Sequence, residues 1–196
     1  MRLFLAIELP ADILRPLESL SRDLMARIPD PQRLIRWVKP EQFHVTLKFI
    51  GECPEAALPR LREAMDQTAR RHVPFSLTVR TLGSFKSGKS LRVLWLGTDD
   101  GTDAVKALAF DVEEACRTAG FPKDERPFHP HLTLARSKGP LPAPLLDKIY
   151  PIAHQRMIGP VLIHQISLMQ SILSPQGPRY TSLYRVPLSS FPATTV

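Results

Sequence analysis

Stretches of two-residue alternation recur along this chain with helix-period stretches set between them, and their order constrains the fold more than any other feature. Residues 3–8, 43–50, 75–82, 92–96, 129–135, 161–172 and 180–187 alternate apolar and β-branched residues with polar ones, the pattern of half-buried strands. Residues 11–28, 55–71, 102–119 and 144–150 repeat at helical spacing, and several end at Gly or Pro. The class that follows is α+β or mixed α/β. From Phe43 the chain runs strand, helix, strand, and from His129 it does so again. Beyond shared topology the two halves have little identity, so the sequence carries a weak internal duplication.

Both repeats begin with the same local text, FHVTL at Phe43–Leu47 and HPHLTL at His129–Leu134. Residues i and i+2 of a strand share a face, so His44 lies beside Thr46 and His131 beside Thr133, while Val45, Leu47, Leu132 and Leu134 turn to the core. Each unit therefore offers an imidazole next to a hydroxyl on a strand anchored by aliphatic neighbours. Two facing imidazoles suit in-line displacement at phosphorus: one removes a proton from the nucleophile and the other protonates the leaving oxygen. With a reference pKa of about 6.5, histidine has both forms at hand near neutrality. Threonine hydroxyls can donate to non-bridging phosphate oxygens. A lone His-x-Thr is a poor signal, because a strand histidine is more often a satisfied half-buried residue and threonine is a good strand former. The matched pair is a much stronger one.

The remaining histidines read as surface or structural residues at His72, His154 and His164. His129 shares the predicted face of His131, and His-x-His can ligate metal, but no cysteine or spaced carboxylate nearby completes a ligand set. A supporting role at the rim of the site is preferred, and no metal or other cofactor is expected. Lys48 falls on the His44 face by the same alternation, as a phosphate contact or a solvated strand lysine. Trp37, beside a strand, reads as core in preference to a base-stacking ring.

Composition bounds the rest. A chain of 196 residues can bury a substantial core in one large domain or two intimate lobes. No apolar run is long enough to span a bilayer, and the opening MRLFLAIELP meets Glu8 and Pro10 without a cleavage site, as a strand would and a signal peptide would not. Cys53 and Cys116 form no CxxC pair, which fits the reducing cytoplasm. The net charge of +7 favours an anionic partner if the charges cluster, and solubility alone is the blander account. Prolines such as Pro140, Pro142 and Pro144 imply stiff connections.

Taken together, RWVKPEQFHVTLKFIGE, RPFHPHLTLAR and SLMQSILSPQGPRYTSLYRVPL resemble the bacterial and archaeal RNA 2′,3′-cyclic phosphodiesterases, also called 2′-5′ RNA ligases, of the 2H phosphoesterase superfamily. The likeness runs from RLFLAIELP to about Leu188. It implies one bilobal domain over residues 1–196, with two antiparallel sheets related by a pseudo-twofold axis about a central cleft and helices outside. The implied reaction is metal-independent hydrolysis of RNA 2′,3′-cyclic phosphate ends to 2′-phosphates, with 2′-5′ ligation when an RNA 5′-hydroxyl replaces water. The partner would be RNA, tRNA-derived ends among the candidates, with no membrane and the chain a monomer in the cytoplasm. By the same resemblance His44 is the proton donor to the 3′-oxygen, His131 the proton acceptor from water, and Thr46, Thr133 and Arg136 bind phosphate. Strict alternation puts Arg136 opposite His131, so that role needs the strand to end or twist, or the side chain to wrap an edge.

Two other readings stay open at this point. The substrate could be a small cyclic nucleotide-type phosphate, since His-x-Thr reads phosphate and not base. The chain could instead be a basic RNA-binding module with incidental histidines, against which stands the lack of an RNP-like aromatic strand or Gly-rich clamp.

Overall fold

The computed structural model describes residues 1–28, 30–87, 90–139, 143–154, 156–174 and 177–190. In chain order these form β1 (Arg2–Glu8), α1 (Ala11–Met25), α2 (Pro31–Leu34), β2 (Ile35–Trp37), β3 (His44–Glu52), α3 (Leu58–Ala69), β4 (Phe75–Ser87), β5 (Ser90–Thr98), α4 (Thr102–Thr118), β6 (His131–Ser137), α5 (Ala143–His154), β7 (Ile158–Ile163), β8 (Gln165–Ser174) and β9 (Gly177–Pro187). Pro140 and Pro142 and the side chains of Pro144 and His154 lie outside the described residues.

The strands stand in the order β7-β4-β5-β6-β3-β1-β8-β9, and β2 joins β6. All of these ladders are antiparallel. The order divides in the middle, because β3 and β6 share a single registered pair, Val45 with Leu132. On one side lie β3, β1, β8 and β9; on the other lie β6, β5, β4 and β7. The strand order of one set mirrors that of the other outward from this rung, which is the twofold relation between two antiparallel sheets that the resemblance implies.

Helices cover one face only. Ile13, Leu17, Leu20 and Leu24 of α1 recur at helical spacing and are buried, as are Leu61, Met65, Thr68 and Ala69 of α3 and Val105, Leu108, Val112 and Cys116 of α4. They meet the alternate residues of the strands, such as Leu3, Leu5 and Ile7, in one continuous core. The packing is crossed: α1 and α5 lie against β7 and β4, while α3 and α4 lie against β8, β9 and β3. A helix that follows a strand of one sheet (α1 after β1, α4 after β5) thus covers the other sheet, locking the two together.

The alternation of residues 161–172 belongs to two strands, β7 and β8, which end up in different sheets. The chain crosses between them at exposed His164, whose carbonyl accepts the Leu188 N–H at 2.8 Å. β4 continues past Leu82 to Ser87 because Gly83 lets Trp95 of the paired strand lie across it; a Cβ there would stand 2.1 Å from the Trp95 ring. Trp37 packs against the core as expected. His72, also structural, ties α3 to α4 through Asp111 at 2.8 Å.

Candidate active site

The single rung between β3 and β6 organises the site. Val45 and Leu132 face each other and are fully buried toward the helices. Neighbouring positions on each strand must then turn to the open face, and in an antiparallel ladder His44 falls opposite Thr133 while Thr46 falls opposite His131. All four side chains are half-buried. The two His-x-Thr units therefore form one quartet related by the local twofold axis.

Each imidazole is oriented in the same way. His44 Nδ1–H donates to the Gln42 carbonyl at 2.7 Å, and His131 Nδ1–H donates to the His129 carbonyl at 2.7 Å. A carbonyl can only accept, so Nδ1 carries the proton and Nε2 is the nitrogen left for chemistry. Rings fix both side chains from the flanks. Tyr180 stands edge-on to His44 at 5.2 Å between centroids, with Phe4 at 5.0 Å on another side. Phe85 stands edge-on to His131 at 4.8 Å, and the His129 ring stacks at 6.3 Å. His129 lies just before β6 instead of within it, edge-on to Trp95 at 4.7 Å.

Burial pushes the pKa of both histidines down. The bonds to Gln42 and His129 oppose this by favouring the imidazolium, while the Arg136 guanidinium adds to the depression at both rings. The surroundings otherwise differ. Glu8 sits opposite His44 in the β1–β3 ladder and its carboxylate favours the charged ring there, whereas His129 disfavours it at His131. Burial works to raise the pKa of Glu8, but hydrogen bonds from Arg185, at 2.8 and 3.1 Å, and from Ser167 outweigh it and keep the carboxylate ionised.

Arg136 shares the face of the quartet because of a β-bulge. Opposite β6, Trp95 pairs with Thr133 and Leu94 with Ala135, so the register skips Leu134. The extra residue reverses the alternation: Leu134 and Ala135 are both buried, and Arg136 emerges on the open side. β3 repeats the device, since Leu5 pairs with Lys48 and Ala6 with Thr46, skipping Leu47. Here the consequence overturns the expectation for Lys48. Lys48 is 1% exposed on the helix side, and its Nζ donates to both Glu113 oxygens and to the Pro122 carbonyl, each at 2.9 Å. It neither shares the His44 face nor meets solvent. The residue that does emerge is Phe49, 58% exposed.

Sequence reasoning did not single out Tyr180, Phe85, Trp95 or Glu8. Their signal was the phase of alternation in strands paired to the motif strands, which becomes readable only once the register is known. Among the described residues no group of three His, Cys, Asp or Glu side chains is placed to hold a metal ion. A hollow of about 470 Å³ between α3 and α4, lined by residues such as Arg70, Arg71 and Glu114, contains none of the quartet.

The model of the LigT-like phosphoesterases matches twice, over residues 7–95 and 96–180, one match for each His-x-Thr unit. The chain belongs to this family. This LigT-like phosphoesterase is 36% identical to the RNA 2′,3′-cyclic phosphodiesterase of Aeropyrum pernix over 86% of its own length and 93% of that protein's. With the enzyme of the same name from Methanothermobacter thermautotrophicus it shares 31% identity, covering 93% of this chain and 96% of the other. Among solved structures it is similar to E. coli LigT complexed with 3′-AMP, with a TM-score of 0.75 and 26% identity over 96% of this chain and 98% of that one. The twofold fold expected from the resemblance is therefore the family's fold, and the duplication seen in the sequence is a duplication of the family unit. Among the described residues no helix is long and apolar enough to cross a membrane.

Proposed function

We propose that this LigT-like phosphoesterase opens the 2′,3′-cyclic phosphate at RNA ends to a 2′-phosphate. The observation that carries the reading is the quartet: two imidazoles with Nδ1 tied back and Nε2 free, flanking one rung, each opposite the other unit's threonine. The phosphate occupies the twofold centre. His131 Nε2 takes a proton from water as its oxygen bonds to phosphorus; the bond from phosphorus to O3′ breaks, and His44 Nε2–H protonates O3′. The Glu8 carboxylate opposite His44, which favours the imidazolium there, supports this division of roles. Thr46 and Thr133 hydroxyls and the Arg136 guanidinium donate to the phosphate oxygens as charge shifts on them. His129 supports through its carbonyl, which holds the His131 ring. An RNA 5′-hydroxyl in place of water gives a 2′-5′ linkage by the same transfers.

Both motif strands belong to one chain, so a single copy carries the whole site. Cys53 and Cys116 are buried free thiols, in keeping with work in the cytoplasm. The test is turnover of an oligoribonucleotide ending in a 2′,3′-cyclic phosphate, with EDTA present and the product's phosphate position read by NMR. A 2′-phosphate formed at undiminished rate is the expected result; binding without turnover would return the chain to the class of RNA-binding modules.

A further inference from the structure

The short edge strand β2 places Arg36 directly opposite Arg136 on β6. Ladder partners share a face, and their neighbours confirm which one: Ile35 and Ala135 are buried toward the helices, while Arg36 and Arg136 are both exposed on the open side. Val93 and Phe85 complete the same cross-strand row, and Phe85 touches the ring of His131. Like charges directly opposite each other destabilise a sheet. The arginines that do form ion pairs among the described residues are Arg80, Arg117, Arg156 and Arg185, so no carboxylate offsets this pair. An anion bridging both guanidinium groups turns the repulsion into two charge-assisted contacts.

Arg136 lies three positions beyond Thr133, but the bulge at Leu134 makes these match only two positions of β5, Trp95 to Val93, or about 7 Å along the strand at about 3.3 Å per residue. Arg36 stands in the same cross-strand row as Arg136, on the edge of β6 where β2 takes the place of β3. We propose that Arg36 binds the internucleotide phosphodiester on the 5′ side of the terminal nucleotide, with Arg136 standing between the two phosphates and sharing its five N–H donors between them, making the site selective for an RNA strand over a mononucleotide. The inference rests on the cyclic-phosphate reading above and deepens it by naming what lies next to the reacting group.

The experiment compares kcat/KM on adenosine 2′,3′-cyclic phosphate and on the adenylyl-adenosine dinucleotide with the same cyclic end, for the unaltered chain and for Arg36→Ala. The ratio of dinucleotide to mononucleotide activity falls on the order of 10-fold or more in the variant, as loss of a hydrogen bond to a charged group does. The salt dependence of the dinucleotide reaction becomes shallower by about 0.7 in log–log slope, one phosphate contact on a single strand. Independently of any variant, a dinucleotide with an uncharged methylphosphonate linkage is turned over by the unaltered chain at a similarly reduced rate. An unchanged ratio in Arg36→Ala, or full activity on the methylphosphonate, overturns the inference while leaving cyclic-phosphate hydrolysis standing. Failure of the unaltered chain to open either cyclic phosphate overturns the parent reading and this one with it.

Discussion

Phe49 and Arg136 hold equivalent places in the two sheets, each the fifth residue after its motif histidine and each brought to the open face by a bulge at the preceding leucine pair position. The twofold relation that makes the histidines interchangeable in geometry thus ends at these side chains, one apolar and one cationic.

Arg136→Gln removes a positive charge that depresses both histidines. Both limbs of the bell-shaped kcat/KM profile therefore move to higher pH, with roughly a 10- to 100-fold loss of activity at the optimum. Phe49→Gln alters no charge, and its limbs stay where those of the parent are. Coincident limbs for Arg136→Gln and the parent would remove Arg136 from the field of the quartet.

If His44 and His131 act in one displacement, their losses do not multiply. His44→Ala and His131→Ala each lower kcat on the order of 10²-fold or more, and the double variant loses less than the product. Steady-state rates on a cyclic-phosphate end decide this, and a multiplicative loss points to separate steps.

The depressed histidines also link stability to acidity. Unfolded, each titrates near about 6.5; folded, each titrates lower, so the unfolded chain holds more protons between the two values. Their contribution makes the unfolding free energy fall as pH drops through about 6.5 and level off below the folded values. His44→Asn/His131→Asn flattens that part of the curve in urea titrations at a series of pH values. Inorganic phosphate, which favours the imidazolium, opposes the fall in the unaltered chain, and its binding takes up protons measurable by calorimetry in buffers of different ionisation enthalpy.

Lys48→Met leaves Glu113 and the Pro122 carbonyl without their ammonium partner beneath the site. Breaking such a buried pair costs about 3–5 kcal/mol, read from denaturant midpoints. Lys48→Met/Glu113→Leu costs clearly less than the single change, because the stranded carboxylate is gone. Equal destabilisation in both would mean that the lysine stem and not its charge holds α4 to β3.

How far the sequence could be read follows the limits of periodicity. Alternation placed Val45 and Leu132 in the core and the quartet on the other face, because the phase is unbroken from histidine to threonine. It misplaced Lys48 and left Arg136 on the wrong side, since Leu47 and Leu134 look like the next apolar step and nothing local marks them as extra residues. β2 has three residues, too few for a period to show, and exists because β6 offers it an edge. The join between β7 and β8 carries no turn residue, so two strands bound for different sheets read as one. Tyr180 and Glu8 reach His44 through pairings more distant in the chain than any pattern window.

The order in which strands fill the two sheets has a consequence for synthesis on the ribosome. β1 and β3 emerge early and can pair at once, yet the other edge of β1 must wait for β8, and β8 for β9, at the far end of the chain. In between, β4, β5, β6 and β7 have already emerged and can assemble their own sheet. The half of the site that holds His131 can therefore mature on a nascent chain while the half that holds His44 still has an open strand edge, a template for unwanted pairing. Tyr180, which seats the His44 ring, arrives on β9, made after the other strands described. Of the two motif histidines, the one made first is thus the later to be set in place.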